Sequence, residues 1–468
     1  MKPPRVARFR NDAERRKINL NLRALALCLA ASGTVLSPAT DADLFADETV
    51  SGAAYSQPLA HPDASALQRF AEGKSEFEAR WVAPFLSGGH WGRGPQSNAE
   101  SCVECHPGNG RGRAPDNPQD EPQSLVLRLA RPGTDSAGQP RPHPAYGTLL
   151  NRYGILGELV EEGNFRIVYE YRDVTLADGT TMELRNPVVR IAALWFGPIG
   201  EDTILSPRLA QPVYGLGLLE AVSDSTIVAL AEQQRRIGFS GRPNLVPDMI
   251  SGEQMVGRFG HKASQPRLRQ QVAAAFHDEI GVTSSLFPQE QCWPIQEQCY
   301  KVERISGVEA TDEQLDLITD YLRLLAPPPQ RDISNPAIRR GATLFEMAQC
   351  AVCHIPQINT GAGAAYAPLR NRTIHAYTDL LLHDMGPGLA DGRREFGAGG
   401  SDWRTPPLWG IGLHKTVNRK AGLLHDGRAR NIAEAILWHG GEADRARQIF
   451  IDMSEQQRTD LIRFVESI

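Results

Sequence analysis

Apolar residues recur at helical spacing in several stretches of the chain. In "ASALQRFAEGKSEFEARW", residues 64–81, Leu67, Phe70 and Phe77 fall on one side of a helix. Similar periodicity marks "LEAVSDSTIVALAEQQRRIG", "PRLRQQVAAAFHDEIG" and "LDLITDYLRLLA". Strict alternation replaces it in "FRIVYEYRDVTLADGTTMEL", where Phe165, Ile167, Tyr169 and Tyr171 occupy every second position and Asp178-Gly179 supplies a turn. That pattern predicts a β-hairpin inserted in an otherwise helical chain. Near 326–336 the run "PPPQRDISNP" cannot continue a helix, and "AIRRGATLFEMAQCAVCH" starts a new one. The expected organisation is mainly α, with an N-terminal domain over 45–328, carrying the hairpin and long loops, and a C-terminal domain over 336–468.

The N-terminus follows neither pattern. A basic stretch, "MKPPRVARFRNDAERRKINLNLR", precedes the apolar run "ALALCLAASGTVL" and the small residues of "SPATDA". The run is too short to span a bilayer, so residues 1–42 read as a cleaved secretory signal peptide rather than a short buried helix with a basic preamble. Export to the periplasm is the expected localisation, with no stable membrane span. At 468 residues and net charge −5 the chain has ample length for two cores and no signature of a nucleic-acid binder.

Seven cysteines sort by position. Cys28 lies in the leader. Cys292 and Cys299 in "CWPIQEQC" are either a short-loop disulfide, as an oxidising compartment favours, or two separate thiols. The other four form two C-x-x-C-H units, Cys102–Cys105–His106 and Cys350–Cys353–His354. Three-residue spacing lets two thiols bond the two vinyl groups of one haem while the adjacent imidazole takes a place under the iron. Zinc would gather four ligands close together, and a thioredoxin-like pair would sit in a βαβ unit; neither context surrounds these motifs. Two covalently bound c-type haems, with His106 and His354 as proximal ligands, are therefore expected. Each unit follows a helix with a G-x-x-x-F pattern, Gly73 to Phe77 and Gly341 to Phe345.

The occupant of each sixth iron position separates catalysis from simple electron transfer. For the C-terminal haem the candidates are His375, His383, Met385, His414, His425 and His439. For the N-terminal haem they are His90, His143, His261 and His277, which spacing does not rank.

Several longer segments carry a resemblance: "GRGPQSNAESCVECH", "GLGLLEAV", "GRFGHKASQPRLRQQ", "TSSLFPQEQC", "LLLHDMGPGLAD", "RTPPLWGIG" and "HDGRARNIAEAILWH". Together they resemble the di-haem c-type oxidoreductases described as peroxidases or thiol oxidoreductases, distantly similar to bacterial di-haem cytochrome c peroxidases. The resemblance implies two cytochrome-c-like haem domains. It places His439 at the sixth-ligand position of the C-terminal haem, where those peroxidases carry methionine, with Met385 as runner-up. It makes Glu220 of "GLGLLEAV" the candidate catalytic acid beside the N-terminal haem. His261 stands where relatives carry tryptophan. Related enzymes hold calcium between the haem domains, although no loop here demands it.

The activity implied is that of a haem-dependent, peroxidase-like enzyme. It would pass electrons from a periplasmic donor protein through the C-terminal haem to the N-terminal one and on to a small oxidant such as hydrogen peroxide. Two alternatives stand beside it: an oxidase of thiol, metal or protein substrates, and a non-catalytic di-haem electron carrier.

Overall fold

The computed structural model describes residues 50–84, 86–155, 161–302 and 307–468; the leader, residues 1–42, lies outside them. The expectation of a mainly α fold is corrected. The chain is 31% helical and 21% strand, with eleven α-helices and several small sheets among the described residues. Much of the unexpected strand comes from β1 (Leu125–Thr134), which pairs on one side with β2 (Pro140–Arg141) and on the other with β5 (Ile204–Leu209). Leu125, Leu127 and Leu129 alternate onto a buried face, and the antiparallel register sets Leu125 opposite Leu209 and Leu129 opposite Leu205.

The hairpin is present and longer than its apolar pattern. It comprises β3 (Gly163–Thr175) and β4 (Thr181–Leu194). Gly179 takes φ +85° at the turn, and the Asp178 carboxylate accepts from Thr180 N at 3.0 Å. Phe165 and Ile167 are buried with Leu127 and Tyr146 in a second core, whereas Tyr171 is 56% exposed, because the ribbon leaves the body of the protein along its length.

Two helix pairs frame the C-x-x-C-H units. Helix α1 (Ala64–Glu78) crosses α5 (Asp312–Leu324), and α6 (Pro336–Met347) crosses α8 (Glu455–Ser467). The crossings are tight at one residue each: a Cβ at Gly73 would lie 2.0 Å from the Leu317 carbonyl oxygen, and one at Gly341 2.1 Å from that of Asp460. The buried stripe of α1 is Ala66, Phe70, Gly73 and Phe77, so Leu67, expected on that side, is half exposed instead. Asn335 caps α6 by accepting from Ala337 N, and Pro336 occupies its first turn.

The principal core runs from Ala54 to Ile468 and is continuous across 326–336. The Tyr55 hydroxyl donates to Gly410 O (2.7 Å) and that of Tyr214 to Trp409 O (2.9 Å), so buried polar atoms as well as apolar surface link the two motif-bearing halves. Among the described residues no helix is long and apolar enough to cross a membrane. Cys292 and Cys299 form a disulfide.

Candidate haem-binding cavity

A single cavity of about 770 Å³ runs through the core between these helix pairs. Its wall contains both C-x-x-C-H units: Cys102, Cys105 and His106 from one side, Cys350, Cys353 and His354 from the other. The first unit is a one-turn helix, α2 (Cys102–Cys105), and the second begins in a 3₁₀ turn, Cys350–Val352. All four cysteines are free of disulfides. Phe77 lies against His106 (ring centroids 6.4 Å) and Phe345 against His354 (6.5 Å), so each G-x-x-x-F helix uses its glycine to approach its partner helix and its phenylalanine to pack the histidine.

The tautomer of each motif histidine follows from its partner. His106 Nδ1 lies 2.7 Å from Gln211 O, and His354 Nδ1 2.9 Å from Tyr377 O. A carbonyl only accepts, so each Nδ1 carries the proton and each Nε2 keeps its lone pair. Burial pushes both imidazoles down to about 4, leaving them neutral at pH 7. A neutral imidazole with Nε2 free is the form that binds iron.

The rest of the wall fits the same group. Much of the lining is apolar, including Phe276, Leu322, Leu389, Ile432 and Val465. Arginines, among them Arg111, Arg208, Arg393 and Arg404, also line it. Arg111 donates only to the carbonyls of Gly422 and Leu424, and Arg404 to the carbonyls of Gly260 and Thr405 and the Gln211 amide oxygen. With no carboxylate partner, burial lowers both guanidinium groups to about 10. An apolar slot bordered by under-compensated cations suits a flat apolar macrocycle with carboxylate side chains. The residues present fit haem at both motifs.

The remaining histidines separate by their ring nitrogens. His90 is surface-exposed beside Glu76; His143 is held by Ile199 O and Ala145 N; His277 is held by Asp278 and Gln289 O. Of the four N-terminal candidates, His261 alone both lines the cavity and has a buried Nε2 with no partner. Burial, with the nearby Arg208 and Arg111, holds its imidazole well below the usual range. In the C-terminal half, His375 lies by Gln357 outside the cavity wall. His383 is clamped between Asp379 (2.9 Å) and Glu442 (2.6 Å); burial opposes its charge, but the carboxylates raise it to about 12. Both of its ring nitrogens are engaged by carboxylates, an arrangement that favours the protonated ring over a metal-binding one.

His414 and His425 line the cavity as neutral rings, pushed by burial to about 3. The His414 Nε2 meets the Tyr214 hydroxyl at 3.2 Å, and His425 stacks on Trp403 at 3.8 Å. Helix α7 (Ile432–Trp438) ends at His439, whose Nδ1 donates to Ala435 O at 2.7 Å and so frees Nε2 in the same way as the motif histidines. His439 is close enough to His354 for its charge to be felt there. Met385, at the end of β6 (Leu382–Asp384), also lines the cavity.

Glu220 does not line it. At the end of α3 (Leu216–Glu220), it accepts from Leu268 N at 2.9 Å, closing the first turn of α4 (Leu268–Ala275), and pairs with Arg323 at 2.6 Å. Among the described residues the one cluster of three metal-binding side chains is Cys353, Asp379 and His383. Its mixed sulfur, nitrogen and oxygen donors are not the all-oxygen cage calcium takes.

Sequence reasoning also missed a buried ionic cluster beside the cavity. Asp391 receives Arg208 (2.5 Å), Lys262 (3.1 Å) and the Ser206 hydroxyl (2.6 Å), and Glu395 receives Arg208 (3.1 Å) and Arg393. The cations of Arg208 and Lys262 lie 4.6 and 4.3 Å from the Trp403 ring centre. A lysine with no exposed surface in "GHKA" was the available hint.

No curated protein matches the chain. Among solved structures, a chain of hydrazine synthase from Kuenenia stuttgartiensis, pressurised with xenon, aligns over 100% of both chains at 12% identity and a TM-score of 0.33, a likeness that carries no argument. The match that decides the matter is to the family described as "Di-haem oxidoreductase, putative peroxidase", which extends over residues 37–468. With both C-x-x-C-H motifs opening on one cavity, the chain belongs to the di-haem oxidoreductase family.

Proposed function

We propose that the protein is an exported, periplasmic di-haem c-type oxidoreductase of the peroxidase type. The reading is carried by one observation: a single cavity presents two neutral motif histidines with fixed Nδ1–H tautomers together with further neutral histidines, two of which, His261 and His414, have an unpartnered buried nitrogen. When bound, the two haems would supply one-electron chemistry for passing electrons from a donor protein, by way of the C-terminal site, to a small oxidant such as hydrogen peroxide at the N-terminal site. Cys102, Cys105, Cys350 and Cys353 would attach the groups covalently. His106 and His354 would each hold an iron through Nε2, oriented by Gln211 O and Tyr377 O. His439 would be the second residue to hold the C-terminal haem, with Met385 as its competitor.

Low-temperature EPR of the oxidised, haem-loaded protein tests this reading, with and without one equivalent of peroxide after half-reduction. A high-spin signal beside a low-spin one, with the high-spin signal altered by peroxide, is expected. Two low-spin signals that ignore peroxide would leave a non-catalytic carrier. A high-spin signal that ignores peroxide and changes with dioxygen would favour the oxidase.

The ligand assignment has its own test. His439→Met exchanges an imidazole for a thioether and should raise the midpoint potential of the C-terminal haem by on the order of 0.1 V, within the span of about 0.8 V that axial ligands command. Spectroelectrochemistry measures it. An unchanged potential would transfer the ligand role to Met385.

A further inference from the structure

Helix α4 does not stop at Ala275 but widens into a π-turn, Phe276–Ile280, a rare form that recurs at functional sites. The turn puts Phe276, His277, Asp278, Glu279 and Ile280 on the cavity wall beside Cys102, Cys105 and His106. It is pinned to the segment leading into the first motif, since Glu279 O accepts from Asn98 N (2.7 Å) and Ala99 N (3.0 Å). Arg128 of β1 forks across two neighbouring carboxylates, one arm on Asp278 and the other on Glu279 Oε1 at 2.9 Å. The second oxygen, Glu279 Oε2, is buried and has no partner. A buried acceptor left unpaired is costly and calls for an explanation. The charge of Glu279 is also felt at Cys105, which places this carboxyl near the edge of the N-terminal haem site.

We propose that Glu279, rather than Glu220, is the carboxylic acid that holds and donates the proton at the N-terminal haem cavity, with Arg128 positioning it. The proposal rests on the reading that this haem has an open face. Burial raises the Glu279 carboxyl to about 7, against the opposing pull of Arg128 and with the help of Asp278. Near neutral pH the group is therefore present in both forms, as an acid that must give and recover a proton requires. Reduction of one hydrogen peroxide to two waters consumes two protons and two electrons, the electrons coming from the one-electron donor protein. As the O–O bond breaks, the O–H bond of Glu279 breaks and a new one forms on the departing oxygen; solvent then returns a proton to the carboxylate. Glu220, held by Leu268 N and Arg323 away from the cavity, has no route to that oxygen.

The charged groups facing Glu279 are Arg128 and Arg152, Asp278 beside it, and His277 beyond Asp278; Glu395 and Arg393 act on Arg128. Of these, Asp278 and Glu395 are held well down, Arg128 is raised by its carboxylates, and the His277 imidazole is raised by Asp278, so Glu279 is the carboxyl placed to change state near neutrality. Azide binding to the oxidised, haem-loaded protein, followed optically from pH 5.5 to 8.5, reads Glu279 without turnover. An anion binds best when the carboxyl is neutral, so the wild-type Kd should rise above about pH 7 by about tenfold per pH unit. In Glu279→Gln the Kd should vary less than about threefold over the whole range, while Glu220→Gln keeps the wild-type profile. Glu279→Asp, which retains a carboxyl, should recover an inflection and guards against a folding defect in the glutamine variant. A wild-type profile in Glu279→Gln, or its loss in Glu220→Gln, overturns the assignment alone. A wild-type protein whose spectrum ignores azide at every pH overturns the open-haem reading and the role of Glu279 with it.

Discussion

Exchange of Cys102 and Cys105 together for serine should yield a protein with one covalent haem instead of two. Denaturing gels stained for haem, and the haem absorbance per protein mass, should both fall to about half, because the thioether bonds alone survive denaturation. The effect should reach beyond stoichiometry. Phe77, Val272, Phe276 and Leu322 line the cavity on this side, and without the macrocycle they face a hollow that α1, α4 and α5 cannot close. Gly73, already in contact with the Leu317 carbonyl, leaves α1 no room to move inward. A ligand that binds only the folded chain stabilises it, and an apolar cavity left empty destabilises it, so the melting temperature should drop as well. His354 and the second motif should retain their haem, since Tyr377 O and Phe345 orient that histidine independently. Two covalent haems in the double variant would mean that the motif does not attach this group.

How much of this was written in the sequence depends on how local each feature is. The C-x-x-C-H units are readable because attachment chemistry fixes two cysteines and a histidine within five positions. The glycine and phenylalanine ahead of each unit are readable for a related reason, as one helical turn sets both the close crossing and the ring over the histidine. The acceptors that set the tautomers are not readable. Gln211 and Tyr377 act through backbone carbonyls, 105 and 23 residues from their histidines, so side-chain identity carries no trace of the role. The sheet of β1 and β5 escaped notice because these two strands are separated by the whole hairpin, the alternating leucines of β1 are too few to outweigh a helical neighbourhood, and β5, "ILSPRL", carries no alternation at all. The same distance hid the surroundings of Glu279. Glu220 stood in a motif-like segment, whereas Glu279 becomes distinctive only when the π-turn and Arg128 leave one of its oxygens buried and unpaired.

Asp391→Asn should be the most damaging single substitution away from the motifs. Asp391 is the common partner of Arg208 and Lys262, whose side chains are 6% and 0% exposed. Removing its charge strands two cations where water does not reach, and breaking a buried pair in this way costs about 3–5 kcal/mol. Chemical denaturation at pH 7 measures it. The loss should also depend on pH with a defined sign. Burial alone would raise the Asp391 carboxyl, but Arg208, Lys262 and His425 more than offset this and hold it at about 2. A carboxyl depressed in the folded state contributes stability that is fully present above its unfolded value of about 4 and is lost as pH falls through 2. The gap between wild type and variant should therefore be largest near neutrality and close in acid. A second change, Lys262→Met, should recover part of the loss by removing one stranded cation, whereas two unrelated defects would add. A loss below about 1 kcal/mol, in the range of exposed pairs, would show that water reaches the cluster. The three cations Arg208, Lys262 and Arg393 exceed the two carboxylates by one positive charge, and Arg208 and Arg393 face the cavity. That surplus suits a haem carboxylate, so filling the cavity and neutralising the cluster should be coupled: the asparagine variant should be destabilised less with its haems in place than without them.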